Sequence, residues 1–191
     1  MSSVPTTYLT PEEYLEQERK AETRSEYFQG EVFAMAGASR RHGLIVTNLI
    51  RDLSEKLRKR DCNVYSTDLR LAVNPAGLYT YPDVLVVCGG EEVLDQHDDT
   101  LLNPTLLIEV LSESTKDYDR GQKFESYRKL SSLREYLTVA QDKIHIEQWT
   151  RQPDNGWILR EYSDAAEIIE LPSIDVDLQL ADIYEKIDFS K

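Results

Sequence analysis

A mixed α/β or α+β domain is what the sequence predicts, and three observations carry that prediction. Helical signals open and close the chain around a series of short extended segments. Apolar residues from about Arg41 to Lys59 recur at the spacing of one helix face. The run Thr105–Leu111 is apolar enough to be a central strand covered on both faces. At 191 residues the chain suits a single domain spanning 1–191 that buries a core without staples. Hydrophobic residues at 40% and charged residues at 30% exclude wholesale disorder and collagen-like or coiled-coil composition.

Taken in order, Thr10-Pro11-Glu12-Glu13 opens a helix, with Thr10 as N-cap, Pro11 in the first turn and Glu13 closing a capping box; it should run to about Ala21. Glu26 to Met35 reads as a hairpin turning at Gln29-Gly30. Val46, Ile50, Leu53 and Leu57 then place one stripe of a helix against a sheet. Extended segments follow at Asn63–Ser66, Leu69–Val73 and Tyr81–Cys88, with a turn at Asn74-Pro75-Ala76-Gly77 and a polar loop from Asp95 to Asn103. After the Thr105–Leu111 strand, Asp117–Leu130 reads as a helix. Glu135–Ala140, Lys143–Thr150 and Trp157–Tyr162 read as strands, and Leu178–Ile187 as a closing helix. No internal repeat is visible.

The net charge of −13 argues against tight nonspecific nucleic-acid binding, which needs a basic surface. The charge is uneven: Ser39 to Arg70 carries eight bases and four acids, Glu161 to Lys191 nine acids and two bases. The basic run Arg51 to Arg60 reads first as a solvated helix face. Cys62 and Cys88, 26 residues apart without CxxC spacing, exclude a cysteine zinc site and argue against a disulfide scaffold. No apolar run reaches the length of a membrane span and no signal peptide is readable, so the expected setting is cytoplasmic, without membrane contact.

Two acids stand inside apolar runs. Asp83 lies in Tyr81-Pro82-Asp83-Val84-Leu85 and Glu109 in Leu107-Ile108-Glu109-Val110-Leu111. A buried carboxylate without a partner costs several kcal/mol, so each needs a cation, a metal or an opening to water; structural ion pairs would serve as well as a functional site. Carboxylates on adjacent strands make a hard oxygen site suited to Mg²⁺ or Mn²⁺.

Pro82-Asp83, then Glu109-Val110-Leu111-Ser112-Glu113-Ser114-Thr115, Asp119, Lys123, Tyr127 and Glu135-Tyr136 together resemble the Uma-type family of restriction-endonuclease-like bacterial proteins, within the PD-(D/E)XK nuclease superfamily. Leu9-Thr10-Pro11-Glu12-Glu13-Tyr14, the Tyr27–Val32 hairpin and His42 extend the likeness over nearly the whole chain. The resemblance implies a restriction-endonuclease-like core, a central mixed sheet flanked by helices. It implies DNA phosphodiester hydrolysis with Mg²⁺ or Mn²⁺ held by Asp83, Glu109 and the carbonyl of Val110. The usual lysine two residues after the acid is Leu111 here, and the resemblance points instead to Lys123, which shares one helix face with Asp119 and Tyr127. Lys116 is a nearer but weaker substitute. Glu26 is a weaker candidate for an extra metal-side acid, and His42 reads rather as a satisfied core histidine. His97 and His145 have no companion at ligand spacing and receive no role. Ser112, Ser114 and Thr115 read as helix caps. A homodimer is expected, since two clefts would serve two strands. The rival expectation is a nucleic-acid or protein-binding module that kept the fold and lost the chemistry.

Overall fold

In the computed structural model, which describes residues 8–35, 37–74, 77–112 and 116–190, the first helix begins at its capping box. Glu13 N–H donates to Thr10 Oγ1 at 3.2 Å and Thr10 N–H to Glu13 Oε2 at 2.8 Å. Helix α1 (Pro11–Glu18) stops short of Ala21. Glu18 there turns inward, its carboxylate accepting from Ser25 N–H at 2.9 Å and Tyr81 OH at 3.0 Å. Strands β1 (Ser25–Phe28) and β2 (Glu31–Ala34) form the expected hairpin. Gln29 and Gly30 both have positive φ, 48° and 101°, which matches the twist of the flanking strands.

Helix α2 (Arg40–Leu57) is capped by Ser39, whose hydroxyl accepts from His42 N–H at 3.1 Å. Its buried stripe runs through Ile45, Val46, Leu49, Leu53 and Leu57, and Ile50 is only half-buried. The helix is thus rotated slightly from the face that Val46 and Ile50 predict. Next come β3 (Cys62–Ser66), β4 (Arg70–Val73), β5 (Leu78–Thr80), β6 (Val84–Cys88), β7 (Thr100–Leu101) and β8 (Leu106–Leu111). A helical segment follows in three parts: α3 (Lys116–Tyr118), a π-helical turn (Asp119–Lys123) and α4 (Phe124–Tyr127). The chain continues through β9 (Glu135–Ala140), β10 (Ile146–Arg151), β11 (Trp157–Tyr162), β12 (Ile168–Leu171), β13 (Val176–Gln179) and α5 (Leu180–Ile183).

The larger sheet has six strands in the order β11-β10-β9-β8-β6-β3, and the smaller five in the order β2-β1-β5-β4-β7. As expected, β8 is central, antiparallel to β6 and parallel to β9, with all six residues buried. Alternation along β6 and β8 splits the core. Val84, Val86, Leu106, Ile108 and Val110 pack with α2, α5 and the β12–β13 ribbon. Leu85, Val87 and Leu107 pack with Leu71 and Leu78 of the smaller sheet and with Phe124 and Tyr127 of α4.

Several expectations are corrected. The run Tyr81–Cys88 is not one strand: Tyr81, Pro82 and Asp83 stand outside the ladders, where a proline without an N–H is tolerated. Asp83 therefore sits just ahead of β6 rather than within it. The polar loop after Asp95 contains β7, which pairs parallel with β4. The region expected as a closing helix starts as a strand, because Val176 and Leu178 bury at period two; only Leu180–Ile183 is helical. The helix expected over Asp117–Leu130 is interrupted by the π turn. Ser114 and Thr115, read as caps, lie outside the described residues, as do Pro75 and Ala76 of the expected turn. Cys62 and Cys88 form a disulfide, against expectation, since the antiparallel β3–β6 register makes them direct partners with Cα atoms 4.0 Å apart. Sequence separation carries no information about that register. Among the described residues no helix is long and apolar enough to cross a membrane.

Leu49 is fully buried at the centre of the α2 stripe. Leu49→Ala is expected to cost about 2–5 kcal/mol in urea denaturation, since the packed sheet beneath closes such a cavity only in part; a loss below about 1 kcal/mol would contradict this packing.

Candidate active site

Glu109 shares the β8 face of Leu107, so its carboxylate points toward the smaller sheet and the π turn, away from α2. There it meets Lys123, whose Nζ lies 3.0 Å from Glu109 Oε1, 3.0 Å from Glu26 Oε1 and 3.5 Å from Asp119 Oδ1. Glu26 comes from β1, Glu109 from β8 and Asp119 from the π turn itself. Three elements thus aim acids at one ammonium. Glu109, Asp119 and Lys123 are only 4%, 4% and 5% exposed. Tyr127 OH donates to Glu109 Oε1 at 2.7 Å, and Thr80 Oγ1 donates to Glu26 Oε1. The π turn is held from below by Tyr136 OH, which donates to the Asp119 carbonyl at 3.0 Å. A wider turn inserted in a helix shifts the side chains that follow it, and such turns recur at functional sites.

Asp83 stands beside this cluster. The β6–β8 ladder ends at Val84↔Ile108, each one residue from the two acids, Asp83 and Glu109. Asp83 Oδ2 accepts from Val110 N–H at 2.8 Å and lies 3.0 Å from His42 Nε2. His42 is consequently more than a core histidine: α2 presents it to the acid that precedes β6. Burial works against its imidazolium, but the hydrogen bond to Asp83 and the negative charges of Asp83 and Asp119 outweigh that and raise its pKa.

The charges of the cluster follow from its arithmetic. Burial pushes Glu109 up to about 8, with Lys123 pulling it back and Asp119, Asp83 and Glu26 adding to the rise. Burial also opposes the Lys123 ammonium, yet Glu109, Glu26 and Asp119 together hold its pKa well above the usual value. Across a single 3.0 Å pair these directions would conflict. They are compatible because three carboxylates share one ammonium, so the lysine stays charged while the most enclosed acid keeps a proton near neutrality. Tyr127 is held far above its ordinary value by burial first, then by Glu109 and Glu26, and so remains a donor.

Glu26, His42, Asp83, Glu109, Asp119, Lys123 and Tyr127 therefore gather in one place, with Val110 contributing its N–H to Asp83, whereas Lys116, the weaker substitute, lines a cavity beside Leu111. Leu111 is buried and adds no charge. Sequence reasoning missed Thr80 and Tyr118. Thr80 is the polar member of a short apolar strand, and the Tyr118 ring centroid lies 5.9 Å from Lys123 Nζ. The two ends of the basic run pair with nearby acids: Arg51 with Asp52 and Glu185, and Arg60 with Asp175. The basic surface lies elsewhere. A cavity of about 600 Å³ at the end of β8 is lined by Arg40, Arg41, Lys116, Arg120, Lys143 and Lys186, with Asp142 and Asp188 the acids among them.

Between the ordinary value of 4.5 and about 8, the folded protein keeps a proton on Glu109 that the unfolded chain has lost, so this group makes stability fall as pH rises through that window. Glu109→Gln removes the slope. With chelator present, its thermal midpoint is expected to exceed that of the parent protein near pH 9 and to converge with it near about pH 5. A variant no more stable than the parent at the alkaline end would refute the assignment.

Comparison with known proteins agrees with this fold. Residues 11–182 match the model of the Uma2 family, described as "Putative restriction endonuclease". Two proteins of Synechocystis sp., both named only as uncharacterized, are similar: one is 34% identical over 98% of this chain and 97% of its own length, the other 36% identical over 82% and 88%. The crystal structure of a "putative nuclease belonging to DUF820" from Anabaena variabilis superposes with a TM-score of 0.74 over 92% of this chain and 97% of that one, at 15% identity. That likeness establishes the restriction-endonuclease-like fold, a mixed sheet flanked by helices, and the family match over nearly the whole chain places this protein in the Uma2 family of restriction-endonuclease-like proteins.

Proposed function

We propose that this protein is a metal-dependent endonuclease that hydrolyses DNA phosphodiester bonds, acting in the cytoplasm as a homodimer. The observation that carries the reading is Lys123: a buried ammonium within 3.0 Å of the central-strand acid, delivered by the following helical segment while the usual strand position is Leu111. The donor set fits a hard divalent cation. It consists of carboxylate oxygens, and the polar contacts of Asp83 and Glu109 described above engage Oδ2 and Oε1, one oxygen of each group. Asp83, Glu109 and the carbonyl of Val110 would hold Mg²⁺ or Mn²⁺. When bound, such an ion polarises a phosphoryl oxygen and acidifies a coordinated water.

The chain's own groups supply the rest. His42 and Val110 N–H orient Asp83, Tyr127 orients Glu109, and Glu26 and Asp119 hold the Lys123 ammonium in place. Lys123 then orients the attacking water and stabilises charge on the five-coordinate phosphate. The basic cavity at the end of β8 supports a phosphate backbone as partner despite the overall −13, since it concentrates six cations two residues beyond Glu109. Leu111 favours the rival, a binding module without cleavage, because an aliphatic side chain can neither donate a proton nor stabilise charge.

With supercoiled plasmid and Mg²⁺ or Mn²⁺, the parent protein is expected to nick and linearise DNA. Lys123→Met is expected to lose cleavage by at least about 100-fold while calorimetric Mn²⁺ binding persists. The substitution leaves buried carboxylates unpaired at about 3–5 kcal/mol, so folding is checked by circular dichroism and Lys123→Gln serves as a second variant. Cleavage by Lys123→Met at the parental rate would overturn the role of Lys123. Metal and DNA binding without cleavage by the parent protein would establish the binding module instead. Sedimentation at micromolar concentration is expected to give a dimer mass, and a monomer alone would remove the homodimer.

A further inference from the structure

We propose that His145, Glu147 and Glu161 form a second metal site, for a borderline transition-metal ion of the Zn²⁺ class, separate from the acids around Lys123. His145 immediately precedes β10 and Glu147 lies two residues on, so the two side chains share a sheet face. Glu161 on β11 is the direct cross-strand partner of Glu147 and faces the same way. One donor atom from each residue lies within 4.8 Å of the other two.

The spacing is informative. His145 Nε2 lies 3.7 Å from Glu147 Oε1 and 3.5 Å from Glu161 Oε1. Those separations are long for hydrogen bonds. They are close to the distance of about 3.4 Å between ligand atoms that surround one tetrahedral ion at about 2.1 Å. The ligands are also oriented from behind. Glu147 Oε2 accepts from Arg120 Nε at 3.0 Å and from Thr138 Oγ1 at 2.9 Å, which turns Oε1 toward His145. The His145 main chain is fixed on both sides: its N–H donates to Tyr184 OH at 3.2 Å, and its carbonyl accepts from Tyr184 OH at 2.9 Å and from Ala140 N–H at 2.9 Å. Such outer contacts are what set ligand geometry in metal sites.

The donor chemistry separates this site from the other. One imidazole with two carboxylates suits Zn²⁺, Co²⁺ or Ni²⁺, whereas an all-oxygen set suits Mg²⁺ or Mn²⁺. Position separates them as well. The partners Glu109↔Thr138, Thr138↔Glu147 and Glu147↔Glu161 run across β8, β9, β10 and β11 in one row. Glu147 is therefore two strands from Glu109, about 10 Å, too far to share an ion. Glu161 is the most exposed of the three, which gives the ion an entry and leaves positions for water.

The test is a calorimetric titration with ZnCl₂ of the parent protein, Glu161→Gln, His145→Ala and Glu109→Gln, with Co²⁺ absorption as a second readout of nitrogen ligation. Glu161 is exposed, so its variant keeps the fold, as circular dichroism would verify. We expect a Zn²⁺ equivalent in the parent and in Glu109→Gln, weakened at least tenfold in Glu161→Gln and His145→Ala, with the Co²⁺ spectrum altered in His145→Ala. Absence of Zn²⁺ binding, equal binding in all four proteins, or loss confined to Glu109→Gln would each overturn the proposal.

Discussion

A single ammonium in a dry interior organises this molecule. Lys123 is almost fully enclosed, and a lysine so placed is tolerated only because carboxylates from β1, β8 and its own π turn close around it. Those contacts tie the smaller sheet, the larger sheet and the connecting helical segment at one point. Each partner is in turn fixed by a hydroxyl: Thr80 for Glu26, Tyr127 for Glu109, Tyr136 for the backbone of Asp119. Removing any of these groups would leave another polar atom stranded in a low-dielectric setting, where an unmatched charge costs far more than a matched one contributes. Burial first, with the charges of Asp119, Asp83 and Glu26 adding to it, also explains why Glu109 there holds its proton near neutrality.

The π turn supplies two members of this cluster, Asp119 and Lys123. Within it Asp119 and Lys123 are both buried, while Arg120 between them donates to Glu147. One five-residue segment thus serves two clusters on the same face of the larger sheet. Phe124, stacked on Tyr136 with ring centroids 5.1 Å apart, anchors the segment immediately beyond.

The charge distribution reconciles an acidic chain with the phosphate partner proposed above. Arg51 in α2 and Arg60 beyond it pair with nearby acids, whereas Arg40 and Arg41 at the start of the helix, with Lys116, Arg120, Lys143 and Lys186, line one cavity. Net charge governs long-range behaviour, but a phosphate backbone responds to the field where it docks.

The sequence by itself determined the central strand, the capping box, the hairpin with its left-handed turn, and the short roster of Asp83, Glu109, Lys123 and their neighbours. The strand, the helix start, the hairpin and the two acids Asp83 and Glu109 rest on local pattern, an acid in an apolar run, Gly30 after Gln29, Thr10 three residues before Glu13, whereas Lys123 and its neighbours came from the family resemblance. What only the tertiary structure decided depends on pairing between distant segments. Whether Glu26 and His42 join the site is set by the approach of β1 and α2 to β8, and no local spacing encodes it. The Cys62–Cys88 disulfide and the convergence of His145 with Glu161 arise from strand register across a ladder. Strand β13 takes Leu178 and Gln179 from the start of the expected closing helix because Val176 and Leu178 bury at period two. Propensity and periodicity act over a few residues, whereas register and sheet packing are satisfied only when the whole chain folds, and the chemistry of this protein lies where those distant segments meet.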